Sequence, residues 1–358
     1  MVATAPVRPF ADLGMADRPL VGGKGASLGE LTRAGIDVPP GFVVTTESFV
    51  AFLAGIDPDG GIRRAVQRLS PDDLGAVSRT CEAIRQRIET APMHPDQEAA
   101  IAHAYRDLCG GGAEDAAVAV RSSATAEDSA EASFAGLQDT YLWIRGTANV
   151  IHFIRACWAS LYSVESVVYR LRQGLAEDGL AMGVVVQHMV DSRVSGVMFT
   201  RSPTTGDRSV IAIESSWGLG SAVVSGEVTP DKVVVSKVTE AIVSRTVSHK
   251  AVMHVPDGAG GGTREQPVPE AARETPCLTD ADVLALARIG KRIERHYGCP
   301  QDIEWAIGPR AGGGSESLFL LQSRPETIWS ARDAQPVAGP AARAFDHVFA
   351  VLGKRGGA

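Results

Sequence analysis

The sequence predicts an α+β fold, because helical and strand-like patterns dominate different parts of the chain. From Glu47 to Cys109 the pattern is mainly helical, with breaks at prolines. After Ala181 the chain turns to short apolar runs rich in β-branched residues, which are typical of strands. We expect an N-terminal lobe at residues 1–190, a β-rich second lobe at 191–330 and a tail at 331–358. A cleft between two such lobes is a common ligand site.

The predicted N-terminal lobe begins with a glycine-rich entry to a helix. Glycines surround Lys24, leucines follow at helical spacing, and Gly35 is placed to end the helix in the left-handed conformation. Farther along, apolar runs indicate strands and a long amphipathic pattern indicates a second helix. The predicted elements are a helix at Ala26–Ala34, strands at Phe42–Val44, Val118–Arg121 and Thr140–Ile144, and a helix at Val150–Arg172.

The predicted second lobe consists mainly of strands followed by one amphipathic helix and a hairpin. Between the strands and the helix, residues 256–276 contain several glycines and prolines, so we expect a flexible insertion there. The predicted elements are strands at Val184–Val190, Gly196–Thr200, Val210–Glu214 and Lys232–Val235, a helix at Asp280–Tyr297, and hairpin strands at Asp302–Ile307 and Leu318–Leu321.

Composition excludes several classes of protein. The 358 residues carry a net charge of −7 at pH 7, so we expect no nucleic-acid partner. The five cysteines are odd in number and none is spaced as Cys-x-x-Cys, which argues against a disulfide framework or a zinc signature. The longest apolar run is strand-sized, and the first residues lack a charged leader and an apolar signal core. We therefore expect a cytoplasmic protein without a membrane partner.

The hairpin near residue 310 carries the most informative polar side chains. Gln322 and Arg324 are two positions apart on a strand, so they leave it on the same face. Folding the strands back about the turn-rich connector at 308–317 brings Glu304 opposite or diagonal to Gln322. A carboxylate, an amide oxygen and a guanidinium suit a divalent cation and the phosphates it carries. The alternative is a salt-bridged hairpin with a long loop.

Two cationic residues in the first lobe lie in motifs suited to phosphate. Lys24 stands among glycines that expose backbone N–H groups before a helix, although the pattern is not a P-loop. Arg121 ends a predicted strand and precedes a run of hydroxyls and acids, where guanidinium geometry matches phosphate oxygens. The simpler explanations are a helix entry with a solvent-exposed lysine and a turn with a hydroxyl network.

Two further segments offer weaker indications of a nucleotide site. The glycine-centred turn around Gly136, between strand-like pieces, would fold over a triphosphate, or it is an ordinary hairpin turn. The apolar strand that turns polar at Gln187 would give a flat wall for an adenine edge, or it is a core strand with a surface end.

Taken together, these motifs resemble the nucleotide-binding domain of the phosphoenolpyruvate synthase and pyruvate phosphate dikinase family. Rifampin phosphotransferase and the ATP-binding subunit of phenylphosphate synthase belong to the same family. The resemblance runs from about residue 13 to residue 330. The matching segments are GGKGASLGEL, PPGFVVT, VRSSATAEDS, ASFAGLQDTYL, GVMFTRSPTTGD, WGLGSAVVSGEVTPD, DIEWAIG and FLLQSRPET.

The resemblance implies an ATP-grasp-type fold that holds ATP between the two lobes, with Mg²⁺ as cofactor. It implies catalytic phosphate contacts at Lys24, Arg121 and Arg324, and magnesium ligands at Glu304 and Gln322. It also places a triphosphate clamp and an adenine contact in the first lobe. The residues implied for ATP binding are Lys24, Arg121, Gly136, Gln138, Thr140, Gln187, Met189, Glu304, Gln322 and Arg324.

The sequence departs from the family in two respects. Ser221 stands where family members usually have an acid after Gly-Leu-Gly. Family enzymes also pass phosphate through a histidine on a swivelling domain, and none of the eight histidines here lies in such a motif, His249 included. We therefore expect an ATP-dependent phosphotransferase subunit or domain, incomplete without a histidine-bearing partner in trans. The alternatives are a stand-alone small-molecule kinase or ATPase and a non-catalytic ATP-sensing module.

Overall fold

The computed structural model describes most of the chain. Residues up to Pro325 pack as one unit, and Glu326–Ala358 form a second. The described residues are 5–111, 115–125, 128–129, 132–133, 139–175, 177, 179–258, 261–310, 315–327 and 329. The predicted tail at 331–358 lies outside them.

Helices and strands are mixed along the described chain, which confirms the predicted α+β class. The strands are β1 (Val7–Pro9), β2 (Gly41–Val44), β3 (Val118–Ala124), β4 (Asp128–Ser129), β5 (Ala132–Ser133), β6 (Thr140–Ile144), β7 (Met182–His188), β8 (Val194–Phe199), β9 (Val210–Trp217), β10 (Asp231–Ser236), β11 (Ile242–Thr246), β12 (Val252–Pro256), β13 (Thr263–Pro267), β14 (Gln301–Pro309) and β15 (Glu316–Pro325). The helices are α1 (Arg18–Arg33), α2 (Thr46–Ile56), α3 (Gly61–Gln67), α4 (Leu74–Thr90), α5 (Pro95–Leu108), α6 (Thr147–Ser160), α7 (Val164–Gln173), α8 (Ser221–Val224) and α9 (Asp280–Tyr297).

The first large sheet has the strand order β1-β2-β7-β3-β6, with neighbouring strands antiparallel. Its core includes side chains from α2, α4, α5 and α6. Trp158 is fully buried there, with its ring 5.8 Å from Phe49 and 5.0 Å from Phe52 between centroids. Aromatic pairs at this separation add to the stability that area burial provides. Helices thus support the strand that carries Arg121.

The second large sheet has the strand order β11-β10-β9-β8-β14-β15. Helix α9 packs on it, and Trp305 of β14 is fully buried in the shared core with Leu286 and Ile293 of the helix. A capping box at Thr279 begins α9, and Gly298, at a φ of 71°, ends it. These start and stop signals explain why the predicted bounds of this helix are confirmed.

The strands of the two sheets occupy separate stretches of sequence. Those of the first sheet end at His188, and those of the second begin at Val194. The boundary predicted at residue 190 falls between these strands, although the division of the chain into two lobes stays a prediction.

Helix α1 contacts the cores of both sheets. Val21 and Ala26 pack with Val43 and Val185 of the first sheet. One turn farther along, Leu31 belongs to the core of the second sheet. A hydrogen bond of 2.6 Å from Ser27 Oγ to the carbonyl oxygen of Ser323 ties the helix to β15. α1 therefore sets the position of the sheets relative to each other.

Gly22 interrupts α1 with a kink that differs from the predicted helix start at Ala26. Its φ of 73° and ψ of 176° are non-helical, and glycine adopts them without steric cost. A Cβ atom at this position would lie 2.0 Å from the carbonyl oxygen of Ser123. The hydroxyl of Ser123 accepts the Gly25 N–H at 3.1 Å and donates to the Val21 carbonyl at 2.8 Å. The kink thus locks α1 onto the end of β3.

The long helix predicted over 150–172 is wrong, because the structure divides it into α6 and α7. Ser163 is extended and caps α7 by accepting the N–H of Ser166 at 3.2 Å. The buried guanidinium of Arg170 donates to the carbonyl of Leu161 at 2.7 Å, in the break between the helices. Both interactions satisfy backbone groups that a continuous helix would have used internally.

The insertion predicted as flexible at 256–276 contains ordered structure. Strands β12 and β13 pair antiparallel, with His254 opposite Glu265. The carbonyl of His254 also accepts a hydrogen bond of 2.9 Å from the Leu219 N–H, so the hairpin is attached to the Gly-Leu-Gly loop.

None of the helices in the described residues combines the length and the apolar character that a membrane span requires.

Substitution Gly22→Ala is expected to destabilise the fold by about 2–3 kcal/mol, since it combines a positive φ with overpacking. Urea unfolding measures this free energy. Gly55→Ala is a matched control, because its Cβ would meet no atom within 4 Å. That control is expected to be neutral or to stabilise α2 by about 0.5–1 kcal/mol. Equal effects of the two substitutions would contradict the close packing at Gly22.

Candidate functional site

A cavity of about 330 Å³ lies between the two large sheets. This volume is typical of small-molecule sites. Its walls are mainly apolar, with a few polar groups from both sides. Residues that line it include Ala119, Arg121, Thr140, Leu142, Gln187 and Met189 from the first half and Gly196, Leu219, Ser221, Glu304, Trp305 and Leu321 from the second.

Arg121 connects the two walls of this cavity. Its Nη2 atom donates to Gln322 Oε1 at 2.7 Å and to Glu304 Oε2 at 3.0 Å, and Nη1 donates to the carbonyl of Leu321 at 3.2 Å. The side chains of Arg121 and Glu304 are 11% and 27% exposed, so solvent screens this pair less than a surface pair. One cation from the first sheet thus binds three oxygens of the second.

The β14–β15 hairpin brings these oxygens together by its register. Glu304 pairs directly with Gln322, which confirms the arrangement predicted from the sequence. The register then shifts, so that Trp305 pairs with Leu320 and Leu321 is left as the bulged residue. A bulge turns a backbone group out of the ladder. Here it leaves the Leu321 carbonyl to accept from Arg121, a contact for which the sequence offers no signal.

Arg324 lies one pleat farther along β15, opposite Asp302. Its Nε donates to Asp302 Oδ2 at 2.9 Å, and its side chain is 45% exposed. It is not among the residues that line the cavity. The guanidinium that meets Glu304 and Gln322 is therefore that of Arg121, and the role of Arg324 as a phosphate contact stays a prediction.

Lys24 is half-buried just beyond the Gly22 kink. It is close enough to the first sheet to influence the buried thiol of Cys157. Burial raises the pKa of Cys157, the charge of Asp139 raises it further, and the Lys24 ammonium lowers it. The lysine therefore lies near the sheet that carries Arg121, although it is not part of the cavity lining among the described residues.

Thr140 of β6 lies directly opposite Arg121 in the ladder and lines the cavity. This register places an exposed hydroxyl beside the guanidinium. Two other predicted members of the triphosphate clamp, Gly136 and Gln138, lie outside the described residues. The structure thus brings Thr140 and Arg121 together as adjacent cavity residues.

Gln187 and Met189 line the cavity at the end of β7. Gln187 is only 3% exposed, and its Nε2 donates to the carbonyl of Pro39 at 3.4 Å. Met189 packs against an apolar cluster that includes Trp143 and Leu219. A buried amide and an apolar side chain thus lie at this wall of the cavity, and their contact with an adenine stays a prediction.

Glu304 and Gln322 are suited to a magnesium ion by the chemistry of their oxygens. Carboxylate and amide oxygens are hard ligands, and Mg²⁺ usually takes one or two protein oxygens and completes its shell with water and phosphates. Among the described residues there is no group of three or more His, Cys, Asp or Glu placed to hold a metal alone. Two protein oxygens such as these would leave most of the magnesium shell to water and phosphate.

Residues 18–344 match the family described as "Pyruvate phosphate dikinase, AMP/ATP-binding domain". The chain belongs to this family. A probable phosphoenolpyruvate synthase of Methanothermobacter thermautotrophicus is 43% identical over 319 residues, covering 89% of this chain and 45% of that protein. The phosphoenolpyruvate synthase of Pyrococcus furiosus is 40% identical over 359 residues, covering 90% of this chain and 44% of that protein.

A third relative carries a different name. The rifampicin phosphotransferase of a Streptomyces species is 43% identical over 309 residues, covering 86% of this chain and 34% of that protein. This chain thus spans less than half the length of each of these relatives.

The cavity is also lined by Ser221, whose hydrogen-bond partner could not be predicted from the sequence. Ser221 lies beside His254, which is 33 residues away in the sequence. The available signal is the serine itself, which follows Gly-Leu-Gly in the sequence. The sequence gives no signal for its partner, because His254 lies on a strand that the pattern does not predict.

The contact between Arg121 and Glu304 is expected to stabilise the domain without nucleotide. A double-mutant cycle with Arg121→Ala and Glu304→Ala should give a coupling free energy of about 1–2 kcal/mol in urea unfolding. The exposed pair Arg310 and Asp37, with side chains 52% and 50% exposed, is the control. Its cycle should give less than about 0.5 kcal/mol. Coupling no larger than the control's would contradict the bridging role of Arg121.

Proposed function

We propose that this chain is the ATP-binding part of a dikinase-type phosphotransferase, with an ATP-grasp-type arrangement of two lobes around the nucleotide. The observation that carries the proposal is the guanidinium of Arg121, which lies in a cavity between two sheets and bonds Glu304 and Gln322. The names of the relatives support ATP-dependent phosphoryl transfer as the chemistry.

Phosphoryl transfer of this kind depends mainly on positioning and charge neutralisation. We assign these tasks to the cations Lys24, Arg121 and Arg324, because guanidinium and ammonium groups bind phosphate oxygens through charge-assisted hydrogen bonds. The hydroxyl of Thr140 would complete the triphosphate clamp, together with Gly136 and Gln138. Gln187 and Met189 would contact the adenine.

Glu304 and Gln322 would hold the magnesium ion that accompanies ATP. When bound, Mg²⁺ would supply positive charge to the phosphate oxygens. In this structure both oxygens accept hydrogen bonds from the guanidinium of Arg121. We infer that the guanidinium turns from these oxygens to the phosphates when the nucleotide enters. Arg121 would thereby neutralise Glu304 in the absence of ligand and bind phosphate in its presence.

We propose further that the phosphoryl group goes to a histidine of a partner protein. In the family reaction the β-phosphoryl of ATP is transferred to a histidine with AMP as the leaving group, and water takes the γ-phosphoryl to give phosphate. The basis for placing the histidine outside the given residues is that none of their eight histidines lies in the motif of the swivelling domain. The final acceptor would be determined by that partner.

Incubation with ATP labelled at the β-phosphate tests this function. The chain alone should hydrolyse ATP slowly at most, and a histidine-bearing partner should acquire acid-labile label while AMP accumulates. Arg121→Ala should abolish most of the transfer, because a lost charge-assisted contact costs about 1.5–3 kcal/mol. Production of ADP by the chain alone would indicate a stand-alone kinase or ATPase. Stoichiometric acid-labile label on this chain would contradict a partner histidine.

Glu304→Gln is expected to raise the magnesium concentration required for half-maximal ATP binding. The substitution replaces a charged oxygen ligand by a neutral one and keeps the side-chain shape, so ATP binding without metal should change less. Calorimetric titration of ATP at several magnesium concentrations measures both effects. Glu82→Gln, at an exposed position of α4, is the matched control. If the magnesium dependence of ATP binding is unchanged in Glu304→Gln, Glu304 is not a ligand of the metal.

A further inference from the structure

Ser221, His254 and Glu227 form a hydrogen-bonded relay at the edge of the cavity. Ser221 Oγ lies 2.7 Å from His254 Nδ1, and His254 Nε2 lies 2.9 Å from Glu227 Oε2. The side chain of His254 is 15% exposed and that of Glu227 is 48% exposed. Ser221 is the member that lines the cavity.

The backbone around the relay holds it in place. Leu219 donates its N–H to the carbonyl of His254. Gly218 has a φ of 75°, and a Cβ atom there would lie 2.4 Å from the same carbonyl oxygen. Both contacts press the loop before Ser221 against β12. These main-chain contacts hold the loop that leads to Ser221 beside the strand that carries His254.

The relay defines the direction of its hydrogen bonds. The side chain of Ser225 and then that of His254 donate to Glu227 and lower the pKa of its carboxyl, so Glu227 is ionised and only accepts. Nε2 of His254 faces this carboxylate and is therefore the nitrogen placed to donate to it. With the ring proton on Nε2, Nδ1 is placed to accept the hydroxyl proton of Ser221. The oxygen of Ser221 is left with lone pairs, so a ligand must offer it a donor.

Ser221 reaches the cavity from the loop that follows β9, whereas the oxygens that Arg121 binds belong to the β14–β15 hairpin. In the ladder Glu304 pairs with Val197, whereas Ser195, two residues earlier on β8, donates to the Gly218 carbonyl at 2.6 Å. Two residues of a strand span about 7 Å. The neighbours of Ser221 in the cavity lining are Leu219 and Gly220 before it and Val224 and Ser225 after it, so apolar side chains lie beside its hydroxyl. Apolar surface with a single placed polar group suits a nucleoside.

We propose that Ser221 is a specificity-determining residue, which accepts a hydrogen bond from a donor on the nucleoside of the bound nucleotide. His254 and Glu227 are positioning residues that keep its hydroxyl proton turned away from the ligand. The donor is a sugar hydroxyl or an exocyclic amino group, since these are the donors that an adenine nucleoside offers. This inference rests on the proposed function, because it takes ATP as the occupant of the cavity.

A serine, a histidine and a carboxylate in a row also occur in serine hydrolases, but the details differ here. In those enzymes Nε2 faces the serine and a buried carboxylate orients Nδ1. In this chain the two imidazole nitrogens are exchanged, and the carboxylate is about half exposed to water. The relay is therefore better suited to orienting the hydroxyl than to activating it for attack.

Binding of nucleotide analogues to matched variants tests the proposal. Calorimetry with Mg²⁺ present would compare ATP, 2′-deoxy-ATP, 3′-deoxy-ATP and purine riboside triphosphate, each of which lacks one donor group of ATP. The wild-type chain should bind the analogue that lacks the relevant donor about 3- to 10-fold more weakly than ATP, the range of one neutral hydrogen bond. That analogue identifies the donor.

The variants separate the hydrogen bond from a structural effect. Ser221→Ala should lose the same factor for ATP and no longer discriminate against the identified analogue, whereas Ser221→Thr should retain discrimination. His254→Phe should reduce the ratio of the two affinities, and His254→Gln, which keeps an acceptor, should restore part of it. Ser244→Ala, an exposed substitution on β11, should leave the ratio unchanged.

Two outcomes would overturn the proposal in different ways. If Ser221→Ala binds ATP and every analogue as the wild-type chain does, Ser221 is not a nucleoside contact, although the proposed function stands. If the folded wild-type chain does not bind ATP with Mg²⁺, the proposed function itself fails and this inference fails with it.

Discussion

The close approach of helix α1 to the end of strand β3 is the constraint on which the rest of the structure depends. At Gly22 there is no room for a side chain, and the hydroxyl of Ser123 bonds the backbone on both sides of the kink. The same helix packs against the second sheet through Leu31. Because Arg121 stands two residues before Ser123, this contact also determines how far the guanidinium lies from the opposite wall of the cavity.

The electrostatics of the cavity follow from that geometry. A half-buried carboxylate without a partner would be costly, and Arg121 provides the partner across the space between the sheets. An ion pair that spans a cavity can be replaced when a ligand binds. Phosphate oxygens can take the place of Glu304 beside Arg121, and a metal cation can take the place of Arg121 beside Glu304. The interaction that stabilises the chain without nucleotide and the proposed binding of nucleotide thus use the same three side chains, Arg121, Glu304 and Gln322.

The role of Ser221, which departs from the family pattern, depends on its hydrogen-bonded neighbours. Considered alone, a serine in place of an acid removes a charge from the cavity. In the structure the imidazole of His254 links Ser221 to the carboxylate of Glu227. The serine therefore offers the cavity a neutral oxygen, and the nearest acid of this group lies two hydrogen bonds behind it.

The sequence by itself determined the features that depend on local pattern, including helix α9, with its cap at Thr279 and Gly298, and the pairing of Glu304 with Gln322 in the hairpin. Those strands are neighbours in the chain, and a period of two residues decides which side chains meet. The tertiary structure alone decided contacts across long separations. Arg121 meets Glu304 over 183 residues, and Ser221 meets His254 over 33. No local period relates such positions, because packing between sheets and loops brings them together.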